Sequence, residues 1–392
     1  MNRGKYVFAQ ICALLPQRTF RRYVEKYGGD KHIKSFSCYH QLLCMIFGQL
    51  SSRDSLRDLT TCLSAHNCKF YQLGLGKSVS RSNLAYANEN RDYRMFEDFA
   101  YALVDYARHL HVPDPEVCVG LPAKRLYSFD STVVDLCLEV FCWATFRQTK
   151  AAIKMHTLFD VRATIPAFIY VTEGSVHDVK ALDVLAIEAD AFYIMDRAYV
   201  DYKRLWRIAD NRAWFVVRAK SNMRFRRIDS DTIDRNGSII CDQVIVLTST
   251  HARNAYPGEL RRVKYYDEEN DLLLVFLTNN FDITAEQVAL LYKHRWSVET
   301  FFKWVKQHLR VLSFWGTTQN AVKTQVYIAM ITFILISILK STLKSEMSLN
   351  DILQVVSVSL LDKTPLEILL KDYSGMDNTD NLQIQLDFAE KI

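Results

Sequence analysis

Residues 125–136 read RLYSFDSTVVDL, and this run divides the chain. Leu126, Tyr127, Phe129, Val133 and Val134 give it strand composition, and Asp130 stands in the middle. A carboxylate inside an apolar strand is costly to bury unless something pairs it. Asp130 is therefore either a satisfied structural acid or a functional one.

Upstream, residues 1–112 carry helical spacing. FAQICALLP, YHQLLCMIFGQL and RDSLRDLTTCL are amphipathic, and NLAYANENRDYRMFEDFAYALVDYARHL is a long helical pattern with Ser80 as its N-cap. The turn GLGKSVSRSN admits a helix-turn-helix, although most turns between helices do not read DNA. Pro113 and Pro115 close this region. Downstream, in residues 113–220, KMHTLFD and IPAFIYVTEG read as a hairpin and HDVKALDVLAIEA as a helix. AFYIMD is a buried strand ending at Asp196, VDYKRLWRIADNR a helix and AWFVVRAK another strand. Residues 221–282 lose the helical signal: RFRRI, IICDQVIVLTS, ELRRVKYYD and DLLLVFLTN read as strands, with turns at Asn236-Gly237 and Pro257-Gly258. Helix returns at ITAEQVALLYKHRWSVETFFKWVKQHL, where Thr284 and Gln287 form a capping box. The pattern predicts an α/β fold: a core in residues 113–220 and 283–345, a β-rich insertion at 221–282, and an all-helical N-terminal domain at 1–112.

Composition narrows the function classes. At 392 residues, 49% apolar and 24% charged, the chain is an ordinary globular protein with room for two or three domains. A net charge of +5 hides an asymmetry: residues 1–60 hold ten Lys/Arg against four Asp/Glu, while the expected acidic tail, 346–392, holds nine acids against three bases. A basic head suits a polyanion, although basic faces also occur on proteins that never touch nucleic acid. Nine cysteines without a CxxC pair, and no signal-peptide pattern, fit a reducing cytoplasm. Cys38, His40, Cys62, His66 and Cys68 match no zinc-finger spacing and read as small packed residues. The run VYIAMITFILISIL falls short of the ~20 residues a bilayer crossing needs and reads as a buried core helix, so no membrane is expected.

The returning helix carries the second half of the chemistry. Tyr292, Arg295, Glu299 and Lys306 superpose on one helical face, beside an apolar stripe of Leu291, Val298, Phe302, Val305 and Leu309. Arg295 and Glu299 are four apart, so one reading is an exposed salt-bridge ladder. The other adds Glu299 to Asp130 and Asp196. Three converging carboxylates make a hard-oxygen ligand set for Mg²⁺ or Mn²⁺, with two ions ~4 Å apart in phosphoryl transfer. Tyr292, Arg295 and Lys306 would then face DNA phosphates. Arg197 either meets a phosphate or closes the strand end. His177 and Asp178 in GSVHD either line the site or, for Asp178, cap the next helix, the preferred reading. Trp296, Trp304 and Trp315 are candidates to stack a base, though dense aromatic clusters are more often core.

Tyr292, Arg295, Glu299 and Lys306 fill the Y-2-R-3-E-6-K pattern of the insertion-sequence-four family of DDE transposases, which the chain resembles from about residue 8 to 340. YSFDSTVVDL and IMDRAYVDY resemble that family's two Asp motifs, and CWATFRQTKAAIKMHTLFD, VTEGSVHD and GQLSSRDSLRDL are similar to its other stretches. The resemblance implies a ribonuclease-H-like core with Asp130, Asp196 and Glu299 as catalytic acids and metal ligands. It implies cut-and-paste transposition: binding of terminal inverted repeats, cleavage at the element end through a hairpin, and joining to target DNA. It further implies a dimer in the synaptic complex and a cytoplasmic bacterial protein, on the nucleoid when bound. A metal-dependent nuclease of the same fold and a non-catalytic transposase-derived repressor remain as alternatives.

Overall fold

The computed structural model describes residues 4–76, 78–110, 123–147, 150–231 and 237–371. Pro113, Pro115, Asn236 and residues 372–392, where parts of the expected boundary, turn and tail fall, lie outside these.

The N-terminal part is helical: α1 (Val7–Cys12), α2 (Gln17–Lys26), α3 (Cys38–Leu50), α4 (Leu56–Ala65), α5 (Phe70–Leu73), α6 (Arg81–Asn90) and α7 (Arg94–Leu110). Ser37, Ser55 and Ser80 cap α3, α4 and α6 by accepting from the backbone three residues on. On α2, Phe20 and Val24 face inward while Arg18, Arg21 and Arg22 are exposed, so the basic head has a solvent-facing cationic helix.

The strands are β1 (Arg125–Leu136), β2 (Thr145–Arg147), β3 (Lys150–Asp160), β4 (Ile165–Glu173), β5 (Ala191–Met195) and β6 (Trp214–Arg218), with α8 (Tyr202–Asp210) between the last two. β3 pairs antiparallel with β1 on one side and with β4 on the other, while β5 and β6 run parallel to β1. The spatial order β4-β3-β1-β5-β6 is that of a ribonuclease-H-like sheet. The strands of the 221–282 segment, β7 (Phe225–Ser230), β8 (Ile239–Leu247), β9 (Leu260–Asp267) and β10 (Leu272–Thr278), extend that sheet. β10 pairs antiparallel with β6, and one ten-stranded sheet results. A short helix the sequence did not signal, α9 (Thr250–Ala255), joins β8 to β9.

Three expected helices take another form. The long pattern after Ser80 is two helices, α6 and α7, with Arg91 extended between them. HDVKALDVLAIEA folds only as a 3-10 turn over Asp178–Asp183. Arg207 of α8 donates to the carbonyls of Leu182, Asp183 and Leu185, and Arg204 clasps the Asp183 carboxylate, so an arginine pair takes acceptors that a longer helix would need. The expected continuous helix from Thr284 is two: α10 (Ala285–Lys293), with the capping box in place, and α11 (Trp296–His308). Between them the backbone bonds shorten to three residues: His294 N to Leu291 O, Arg295 N to Tyr292 O and Ser297 N to His294 O.

α12 (Gln319–Leu343) contains the long apolar run. By length and composition it is able to cross a membrane, but it is buried between the N-terminal helices and the sheet, where its side chains join those of α3, α7, β3, β4 and α11 in one core. The described part of the acidic segment is structural as well. α13 (Leu349–Ser359) and α14 (Leu366–Leu369) bury Ile352, Leu353, Val356 and Leu366. The carbonyls of Asp362 and Leu360 accept from Val7 N (2.8 Å) and Phe8 N (3.1 Å), satisfying the first amides of α1.

Candidate active site

β1 and β5 pair in parallel from Arg125↔Ala191 to Phe129↔Met195. Asp130 and Asp196 each occupy the next position beyond that last rung. Neighbours in register share a face, and adjacent strands lie about 4.8 Å apart, so the two carboxylates leave the sheet side by side where β5 ends. α11 packs on the same face of β1, held by Ser128 Oγ donating to Arg295 O (2.9 Å) and Lys306 Nζ donating to Val133 O (3.1 Å). Val298, Phe301, Phe302 and Val305 bury its apolar stripe, which sets Glu299 towards Asp130.

The break between α10 and α11 divides the roles of the four residues. Tyr292, on α10, packs against Phe276 (centroids 4.7 Å) and donates to Asp196 Oδ1 at 3.3 Å. Arg295, at the turn, hydrogen-bonds Glu299 Oε1 and stands 3.6 Å from Asp130 Oδ2. Its Nε is buried without a partner. The Arg295–Glu299 contact is the i,i+4 pair of the ladder reading, but Arg295 is only 11% exposed and reaches a second acid. Arg197 opens the 3-10 turn after Asp196 and is exposed.

Electrostatics mark Asp130. Burial pushes its carboxyl up to about 6, and nearby Glu299 and Asp196 push the same way, against the Ser131 amide and Arg295. Tyr292 is raised to about 12, by burial first. Lys306 is lowered by burial. Crowded, half-buried carboxylates of this kind favour a cation among them. The donors Asp130, Asp196 and Glu299 are hard oxygens suited to a small divalent ion. Among the described residues no three His, Cys, Asp or Glu side chains stand as a ready-made metal cluster; here the positive charge between Asp130 and Glu299 is the Arg295 guanidinium.

The structure also places Asp178, for which sequence favoured a helix cap. It caps nothing: its Oδ1 accepts from Ser131 Oγ (2.8 Å) and pairs with Lys154 Nζ (3.1 Å). The only sequence signal was the GSVHD stretch itself; the register that brings Lys154 near Ser131 is a tertiary fact. Of the tryptophans, Trp304 packs on Phe333 (4.9 Å) and Trp315 is buried, while Trp296 is exposed under Arg295.

Fold and site together define a ribonuclease-H-like domain with two aspartates at the end of a parallel strand pair and Glu299 of α11 linked to Asp130 through Arg295. The chain belongs to the transposase DDE domain family, whose pattern matches residues 122–335. Residues 3–76 match a domain of unknown function, DUF4372. The chain is 34% identical over 212 residues to a putative transposase, y4zB, of Sinorhizobium fredii, covering 53% of this chain and 59% of that protein. It is 31% identical over 229 residues to a probable transposase for insertion sequence element IS5377 of Geobacillus stearothermophilus, covering 58% and 60%. It is 22% identical over 301 residues to a putative transposase for insertion sequence element IS4SA of Synechocystis, covering 75% and 82%. The chain thus spans about three-fifths of the length of the first two relatives. Membership of a DDE family implies use of a divalent metal in general terms.

Proposed function

We propose that this protein is a cut-and-paste DNA transposase that cleaves the ends of its element and joins them to target DNA. The observation that carries the reading is the placement of Asp130 and Asp196 one residue beyond the last rung of a parallel strand pair, with Glu299 tied to Asp130 through Arg295.

Asp130, Asp196 and Glu299 would hold two Mg²⁺ or Mn²⁺ ions, which would supply activation of the attacking oxygen and stabilisation of the leaving one. The chain's own residues bind and aim the DNA. Tyr292, Arg295 and Lys306 are bonded here to protein acceptors: an Asp196 oxygen, a Glu299 oxygen and the Val133 carbonyl. A phosphodiester offers each of them an equivalent acceptor. On DNA binding Arg295 would move to a phosphate, freeing the Asp130 and Glu299 oxygens it bridges here to serve as metal ligands. Arg197 meets the same backbone from the strand end, and the exposed arginines of α2 bind the terminal inverted repeats. In the first step water attacks the phosphodiester at the element end, and the 3′-oxygen leaves with a proton. In the second that 3′-hydroxyl attacks a target phosphodiester, a new P–O bond forms, and the target's 3′-oxygen departs. Two ends cut together require a dimer in the synaptic complex.

The experiment supplies precut ends carrying free 3′-hydroxyls, with target DNA and Mg²⁺. Joined products support a transposase. Hydrolysis of intact ends without joining indicates a nuclease, and end binding with neither reaction indicates a repressor; either result overturns the proposal.

A further inference from the structure

A polar network lies behind Asp130, on the far side of β1 from Glu299. Ser131 stands opposite His156 on β3, and Val133 opposite Lys154. Successive strand residues alternate faces, so Ser131, Lys154 and His156 share the face that Asp130 does not. Onto it folds the segment after β4. Lys154 Nζ donates to Val176 O (2.8 Å) and pairs with Asp178 Oδ1 (3.1 Å), fastening that segment to the sheet. Asp178 Oδ1 in turn accepts from Ser131 Oγ at 2.8 Å. The Ser131 amide donates to Asp130 Oδ1, also at 2.8 Å.

The position of Ser131 gives this chain of contacts its consequence. β5 pairs with β1 only as far as Phe129, so the Ser131 amide lies beyond that ladder and turns to the Asp130 side chain. Holding Oδ1 leaves Oδ2 aimed at the carboxylate cluster, where Arg295 stands 3.6 Å away. The neighbours reinforce the arrangement. His156 is fully buried, its Nε2 2.9 Å from Thr172 Oγ1 and its Nδ1 3.9 Å from Asp178 Oδ1. The buried Tyr199 hydroxyl, three residues after Asp196, lies among Asp130, Ser131 and Asp178. Lys154 is only 13% exposed, and Asp178 is the carboxylate that balances it.

We propose that Asp178 is a positioning residue for the cutting site, fixing Asp130 through Ser131 and itself fixed by Lys154. The inference rests on the reading of Asp130 as a metal ligand and adds a residue outside the three acids and the Tyr-Arg-Glu-Lys set. Asp178 touches neither DNA nor metal. Its work is to keep one Asp130 oxygen on the Ser131 amide so that the other is presented in one orientation.

The test uses the full chain bound to its own end DNA. Ser131→Ala and Asp178→Asn are made singly and together, thermal melting confirms that each is folded, and bound Mn²⁺ is titrated by electron paramagnetic resonance. Each single change is expected to weaken Mn²⁺ binding about 10-fold or more, as loss of the groups that orient metal ligands does. The double variant falls no further than the worse single one, because both break the same chain of contacts. Ser131→Thr, which keeps the hydroxyl, stays within about twofold of the natural protein. Unchanged Mn²⁺ affinity in the folded single variants, or additive losses in the double, overturns the proposal. If Asp178→Asn does not fold, because it strips the charge partner from a buried lysine, Ser131→Ala decides alone. Absence of Mn²⁺ binding in the natural protein contradicts the three-acid reading itself, a result distinct from losses confined to the variants.

Discussion

Two arginine–carboxylate contacts in this protein teach opposite lessons. In the strands that extend the sheet, Arg261 meets Asp242 through both Nε (2.9 Å) and Nη2 (2.6 Å), and its remaining nitrogen bonds the Ile283 carbonyl. Both side chains are 7% exposed, and the guanidinium is matched on every side. In the cluster at the end of β1 and β5, Arg295 is divided between Glu299 and Asp130, and its Nε has no partner. Asp130 and Glu299 are 22% and 35% exposed. The first contact is saturated and joins β8, β9 and the approach to α10. The second is incomplete and next to solvent, so a competing anion or cation can take either half of it.

That contrast can be broken by substitution. Arg261→Ala leaves Asp242 charged and buried, and is expected to cost about 3–5 kcal/mol in urea unfolding. A cost below about 1 kcal/mol would mean that water reaches Asp242 and that the pair is no rivet. Asp130→Asn should act in the other direction on the metal-free protein. The Asp130 carboxyl is raised to about 6 in the fold against an unfolded value of about 3.9, so the folded state favours the protonated form. Its contribution is fully present below about pH 4 and is lost as pH rises through about 6. Asn carries no charge to bury, so the variant gains about 3 kcal/mol at pH 8 and nothing at pH 4. Melting curves across that range check both ends, and a gain that is independent of pH would contradict the burial argument. The smallest change in stability is expected for Arg295→Gln, at most about 1 kcal/mol. Its effects belong to ligands: Mn²⁺ binds the DNA-free variant more tightly than the DNA-free natural protein, and the salt dependence of end binding is shallower by about 0.9 in log–log slope. An unchanged slope would remove Arg295 from the phosphate contacts.

Much of this was legible in the chain, and the parts that were not share a cause. β1, with an acid inside an apolar strand, and β5, with Asp196 directly after its last residue, are local patterns, and the sequence shows them directly. The capping box at Thr284 is local too. The division between α10 and α11 is not. Three-residue backbone bonds at His294–Ser297, with the Arg295 carbonyl accepting from Ser128, depend on a strand more than 150 residues away. The shortened turn after His177 likewise depends on Arg204 and Arg207, which arrive with α8. Helical periodicity reports which face of a segment is apolar. It does not report which carbonyls a distant arginine will claim. Asp178 was read as a cap for the same reason, because its partners Ser131 and Lys154 come together only through the β1–β3 register.

The central claim is that Asp130, Asp196 and Glu299 form one metal-dependent cutting site. Cleavage of the element's own end in Mg²⁺ by Asp130→Ala, with end binding followed in the same samples, tests it most directly. Binding is expected to persist and cleavage to be lost. Cleavage at the natural rate would contradict it.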